Sequence, residues 1–332
     1  MARFPSFKKK KKIPLDPTLV LNDKRGFDLF WIRFKRNWQL HLMMLLPMVW
    51  IIMFHYAPLY GIQIAFRSYN AKKGITGSDW VGLFWFQKFF SYYKWSNLVI
   101  NTLAISLYSL IAGFPIPVVL AIVIHANEVK GLKWLTQNVS YIPHFISTVV
   151  MVGILWQVFN PVSGIWGHLQ KLIGVVNYSD IRSNPDAFRH LYVWSGIWQT
   201  MGWSTIIYIA ALSAVSMELH EAARIDGANR FDRVIHVDIP TILPTVSIML
   251  ILRVGSIMSV GYEKVYLMQN SLNIGVSEVI STYVYKNGLA KGGKYLSYGA
   301  AIGLMNSVIN TTMVVLVNAI TNKLTDGEGG LF

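Results

Sequence analysis

Six apolar stretches of about twenty residues or more, near 40–64, 97–125, 137–159, 191–215, 242–266 and 295–321, dominate this chain. A helix rises about 1.5 Å per residue, so about 20 apolar residues match the roughly 30 Å hydrocarbon core of a bilayer. The pattern predicts an all-α integral membrane protein with six transmembrane helices, because a helix satisfies its own backbone polar groups inside lipid. Composition agrees: 53% of the 332 residues are hydrophobic and only 14% are charged, too few to coat a soluble globule. Cysteine is absent, which excludes disulfides, thiolate metal sites and thiol nucleophiles. Pro47, Pro58, Pro115 and Pro117 fall within the runs and predict kinks there.

Positive flanks stay on the cytoplasmic side of a membrane. The first 37 residues hold eleven lysines and arginines, including Lys8 to Lys12, which places the N-terminus inside. Six crossings return the C-terminus to the cytoplasm, leaving 126–136 and 216–241 cytoplasmic and 65–96, 160–190 and 267–294 outside. The outer loops also carry eleven basic residues, so the orientation rests on the N-terminal cluster. That cluster is read as a juxtamembrane tail drawn to anionic membrane lipid, in preference to a nucleic-acid patch. Phe27, Phe30, Trp31, Phe34 and Trp38 then recur at helical spacing, with Arg25, Arg33 and Arg36 off the stripe. This predicts an amphipathic helix lying in the inner interface. Residues 1–37 therefore form a tail and interfacial helix, and 38–332 the membrane domain.

Two apparent catalytic motifs fail on chemistry. Gly288 to Tyr295, GLAKGGKY, has the spacing of a phosphate loop, but Tyr295 stands where a Ser or Thr hydroxyl must reach magnesium. His220 to Arg224, HEAAR, begins like a zinc-protease helix, but Arg224 replaces the second histidine. No nucleophile, metal ligand set or cofactor motif stands elsewhere, so an enzyme is disfavoured.

The segment from Met217 to Pro244, MELHEAARIDGANRFDRVIHVDIPTILP, is polar and rich in small residues although it lies between two apolar runs. Residues 217–226 suit a helix, and Asp226-Gly227 is a stop signal, glycine taking the left-handed cap conformation. A second short helix is expected from about Arg230 to Val237, ended by Pro240. Ala222, Ala223 and Ala228 beside the turn permit close approach by another surface, with charges around to orient it. The ordinary alternative is a solvated loop.

The spacing Glu221-Ala222-Ala223, three residues, Gly227, nine residues, then Val237, Ile239 and Pro240 resembles the EAA loop of binding-protein-dependent ABC importer permeases. YIPHFIST at 141–148 and LRVGSIMSVGYEKVYLM at 252–268 resemble the carbohydrate branch, including permeases for uronate-containing polysaccharides such as alginate and rhamnogalacturonan. His236 and Asp238 depart from the loop's usual end. The resemblance implies a coupling-helix loop near 216–241 on which a cytoplasmic ATPase dimer seats, through Glu221, Ala222, Ala223, Asp226 and Gly227. It also implies a second permease subunit, by family habit a different chain, and an external solute-binding protein. ATP and magnesium would belong to the partner ATPase, with no cofactor on this chain, in a bacterial plasma membrane.

For a substrate path the residues offer Arg253, about eleven positions into the fifth run and so near mid-membrane. Facing lipid it would cost at least about 3 kcal/mol, so it should face protein or a watery cavity. Ser256, Val260 and Glu263 share its face if the helix is continuous. Arg253 either bonds a neighbouring helix or meets an anionic sugar, because guanidinium pairs bidentately with carboxylate. Trp194, Trp198, Gln199, Gly202 and Trp203 could present aromatic and amide groups to sugar rings, although such tryptophans are also interface anchors. Gly299, Gly303, Asn306 and Asn310 form a stripe favouring helix packing and interhelical hydrogen bonds over a pore lining. Two other function classes stay open: an ion-coupled transporter using Arg253 and Glu263, and a nonconducting docking scaffold.

Overall fold

In a computed structural model, residues 31, 34–174, 180–290, 295–324 and 330–331 are described. The basic cluster Lys8 to Lys12 and the interfacial residues Arg25, Phe27, Phe30 and Arg33 lie outside them. So does most of the GGK end of the failed phosphate loop. The chain divides into two compact units, Met1–Gly61 and Ile62–Phe332.

In the first unit, helix α1 (Trp38–Ile51) contains Pro47 and has no buried residue. A π turn (Ile52–Tyr56) follows, and a 3-10 helix (Ala57–Phe66) contains Pro58. Pro47 lies within α1 without a change of helix type, whereas Pro58 lies at the start of the 3-10 helix that follows the π turn.

The second unit opens with a feature at odds with the all-α expectation, an antiparallel hairpin of β1 (Arg67–Asn70) and β2 (Gly74–Trp80). Its strands are held by local polar chemistry that hydropathy does not register. Arg67 Nη1 donates to the carbonyls of Thr76 (3.0 Å) and Ser78 (2.8 Å), and Trp85 Nε1 donates to the Arg67 carbonyl (2.9 Å). Then come α2 (Phe84–Phe90), α3 (Trp95–Gly113), α4 (Pro115–Ala126), α5 (Lys130–Tyr141), α6 (Thr148–Val158) and α7 (Ile165–Leu172). Pro115 occupies the first turn of α4, where its missing N–H costs nothing, so α3 and α4 run on as one span.

Helix α8 (Pro185–Ser213) is the central element, packed on α3, α4, α5 and the fifth apolar segment. Lipid tails are as apolar as leucine, so helices here associate by close fit more than by the hydrophobic effect. Gly202 shows the fit: a Cβ there would collide with the Ser140 carbonyl of α5. Beyond α8 lie α9 (Met217–Ile225), α10 (Arg230–Arg233), a π turn (Val234–Asp238), α11 (Ile239–Val254), α12 (Tyr262–Met268), α13 (Ile274–Ser277), α14 (Ile280–Val284), a second π turn (Tyr285–Leu289) and α15 (Leu296–Leu324).

Among the described residues four helices are long and apolar enough to cross a membrane, or up to six if each of two bent pairs is one span. The third run, expected to be continuous over 137–159, bends by 102° between Phe145 and Thr148. Ser147 is extended there and its side chain accepts from the Val150 amide, restarting the helix. The second helix of the polar segment does not end at Pro240. The π turn carries α10 directly into α11, with Pro240 in the first turn of α11 where no N–H is needed.

The fifth run departs furthest from expectation. Helix α11 stops at Val254, and residues 255–261 are non-helical before α12 begins. Ser256, Val260 and Glu263 therefore do not share a helical face with Arg253. The freed backbone is satisfied by other elements: the Met258 amide donates to Asn310 Oδ1 (3.0 Å), and Ser281 Oγ donates to the Val260 carbonyl (2.6 Å). Broken helices survive at membrane depth only with such partners.

Candidate functional sites

The first site is the turn between α9 and α10. Ser216 caps α9, its side chain accepting from the Glu218 amide. At the other end Gly227 adopts φ +83°, its amide donating to the Arg224 carbonyl (3.1 Å) and that of Ala228 to the Ala223 carbonyl (2.9 Å). This pair of bonds is a Schellman cap. Asn229 starts α10 with a reciprocal capping box: its side chain accepts from the Phe231 and Asp232 amides while Asp232 accepts from the Asn229 amide. Three local devices thus fix a tight protrusion.

Glu221, Ala222, Asp226 and Gly227 are exposed on it and Ala223 is half-buried. Sequence reasoning missed an apolar component: Ile225 is 86% and Phe231 70% exposed, with Met217 and Leu219 also exposed. Large exposed apolar groups beside charges mark a contact surface. Arg230 and, at longer range, Arg224 pair with Glu128 in the loop after α4, at 3.0 and 3.8 Å.

The second site is a cavity of about 300 Å³ among α3, α8 and the break after α11. Arg253 and Gln199 line it, as do Ser106, Ser204, Ser256 and Lys264. Gln199 donates to the Ile146 carbonyl (2.7 Å), which fixes its amide. Among the described residues the Arg253 guanidinium has no hydrogen-bond or ion-pair partner, so the neighbouring-helix bond considered for it is not made. Lys264, which the sequence reading passed over, donates to the Tyr192 carbonyl (2.7 Å) and lies 4.6 Å from the Tyr192 ring centre. The signal for it was present, a lysine within an apolar run.

The other residues expected on a path are placed elsewhere. Glu263 is exposed on α12 and does not line the cavity. Trp203 stacks on His144, with centroids 4.4 Å apart and planes within 6°. Asn306 also lies outside the lining. Asn310 joins α15 to the non-helical break and not to another helix, donating to Ser259 Oγ (2.8 Å) as well as accepting from the Met258 amide. Gly288, from the failed phosphate loop, lies in a π turn packed against Gly299 of α15.

Residues 113–326 match the family described as "Binding-protein-dependent transport system inner membrane component". The chain is 36% identical over 307 residues to Protein LplB of Bacillus subtilis (strain 168), covering 92% of this chain and 95% of that protein. It is 36% identical over 318 residues to the polygalacturonan/rhamnogalacturonan transport system permease protein YteP of the same organism, covering 96% and 97%. Among solved structures, a bacterial ABC transporter involved in the import of the acidic polysaccharide alginate has a chain that superimposes with TM-score 0.79. It is 32% identical, and the match covers 89% of this chain and 99% of that one.

Proposed function

The chain belongs to the family of binding-protein-dependent transport system inner membrane components, and from that premise we propose that it is the permease subunit of an ABC importer for an acidic oligosaccharide. As a member of that family it is an integral membrane transport subunit and not an enzyme. It crosses the bacterial plasma membrane six times with both termini cytoplasmic.

The α9–α10 protrusion is the coupling loop. Glu221, Ala222, Ala223, Asp226 and Gly227 meet a cytoplasmic ATPase dimer, which carries the ATP and magnesium, and Ile225 and Phe231 supply the apolar contact. Closure of that dimer moves the protrusion of this chain and that of a second, different permease together. The pathway is thereby switched between two access states, a rigid-body transition biased by the partners' ligand. An external solute-binding protein delivers the sugar. The alginate transporter relative is known in complex with an alginate pentasaccharide-bound periplasmic protein.

The substrate class rests on one observation, the unpartnered Arg253 guanidinium sharing a hydroxyl-lined cavity with Lys264. A guanidinium, a lysine amine and several hydroxyls suit the carboxylates and hydroxyls of a uronate chain. The named cargoes of two relatives, polygalacturonan and alginate, are of that class. The test is uptake into proteoliposomes holding this chain, the second permease and the ATPases, with the binding protein outside. ATP-dependent accumulation of an oligogalacturonate above a neutral oligosaccharide of equal length supports the reading. Accumulation that ignores ATP refutes the importer, and equal uptake of both sugars refutes the acidic preference.

A further inference from the structure

Behind the exposed face of α9, three side chains from separate segments converge. His125 comes from the last turn of α4, His220 from α9, and Asp238 from the end of the π turn before α11. One ligand-competent atom of each lies within 4.8 Å of the other two. His220 Nε2 is 3.2 Å from Asp238 Oδ1, and the two side chains are 13% and 4% exposed. That approach is within ion-pair range but lacks the alignment of a hydrogen bond: among the described residues Asp238 Oδ1 is buried without a hydrogen-bond partner, and so is His125 Nδ1. A buried carboxylate oxygen with no donor is costly unless a cation compensates it.

We propose that His125, His220 and Asp238 bind a divalent transition-metal ion of the zinc class. Two imidazoles and one carboxylate are the donors such ions select, whereas calcium and magnesium favour all-oxygen shells. Zinc bonds of about 2.0–2.2 Å place tetrahedral ligand atoms roughly 3.4 Å apart, so the His220–Asp238 pair already has the spacing and the rest closes by at most about 1.4 Å through side-chain rotation. A water molecule completes the fourth position. Lys133 is the neighbouring positive charge that opposes the ion, set against the Asp238 carboxylate. The HEAAR helix lacks its second histidine in sequence, but the fold supplies it from 95 positions earlier. The bound ion joins the end of α4, the protrusion helix α9 and the start of α11.

The full-length chain, purified without a histidine tag and stripped with chelator, is titrated with zinc against a chromophoric chelator. One ion per chain is expected. His125→Gln and His220→Gln should each weaken binding by at least about 100-fold, the upper end of what losing even an outer-shell partner costs a metal site. His236→Gln, an exposed histidine outside the trio, should leave binding unchanged. Cobalt in the unmutated chain should give the intense visible absorption of a tetrahedral site, a readout that needs no variant to fold. Absence of both stoichiometric zinc and that absorption, or equal binding by His220→Gln, overturns the proposal and leaves a His–Asp contact only.

Discussion

The Ala228 amide donates to the Ala223 carbonyl at 2.9 Å, and around that bond the chain reverses through Gly227 in the left-handed region. A Cβ at Gly227 would meet nothing within 4 Å, so its requirement is conformational and not steric crowding. Holding a branched residue there costs about 1–2 kcal/mol. Gly227→Val should therefore leave the chain in the membrane but reshape the tip, lowering transport-coupled ATP hydrolysis about tenfold. Co-purification of the ATPase checks the contact directly. Undiminished coupling would refute the assignment of this turn.

Among the described residues the Arg253 guanidinium has no hydrogen-bond or ion-pair partner, so replacing it removes charge without orphaning one of them. Arg253→Gln should lower oligogalacturonate uptake by about 10- to 100-fold, equivalent to one charge-assisted bond of about 1.5–3 kcal/mol. Transport of any neutral oligosaccharide should fall far less. Glu263→Gln, outside the cavity, should change neither, which also tests the ion-coupled alternative that needs Glu263. Equal losses for acidic and neutral sugars would make Arg253 structural.

What the sequence made legible divides along one physical line. Ser216, Asp226-Gly227 and Asn229 act on amides within a few positions of themselves, so the protrusion could be read from local punctuation. The break after Val254 could not. The stretch VGSIMSVG is apolar enough for a span, and its unwinding depends on Asn310 and Ser281, 52 and 21 positions away from the backbone groups they satisfy. The approach of His125 to His220 was hidden for the same reason, whereas the hairpin of β1 and β2 was hidden because its bonds, though local, are polar and hydropathy does not register them.

Asp180 and Arg182, in a connection outside the spans, form a bidentate pair with Nε–Oδ1 2.7 Å and Nη2–Oδ2 2.6 Å. That hydrogen bonding holds the Asp180 carboxyl below its usual value. The Arg182 carbonyl in turn accepts from Asn270 Nδ2 (3.1 Å), tying the loop to the segment after α12. A carboxylate whose folded value is depressed stabilises the fold above its unfolded value, near pH 3.9, and loses that contribution as pH falls through the folded value. Asp180→Asn should thus cost about 1 kcal/mol at pH 7, as a partly exposed pair does. The gap in melting temperature from the unmutated chain should close below about pH 4. A gap independent of pH would assign the loss to packing and not to charge.

Asn310 carries the second half of the break. Its Oδ1 accepts from the Met258 amide, replacing the helix partner that 258 has lost, and its Nδ2 donates to the Ser259 side chain, whose own amide keeps the Ser256 carbonyl as acceptor. Met258 is buried, with 3% of its surface exposed, and water cannot readily replace the acceptor. Asn310→Leu leaves that amide unsatisfied, at about 1–3 kcal/mol. Ser259→Ala removes only the second bond, whose donor stays accessible to water, and should cost well under half as much. Melting of the two variants in one detergent gives the comparison, and uptake in proteoliposomes should fall further for Asn310→Leu because the cavity wall moves with the break. Equal melting of both variants would mean that Asn310 packs against the break without holding it.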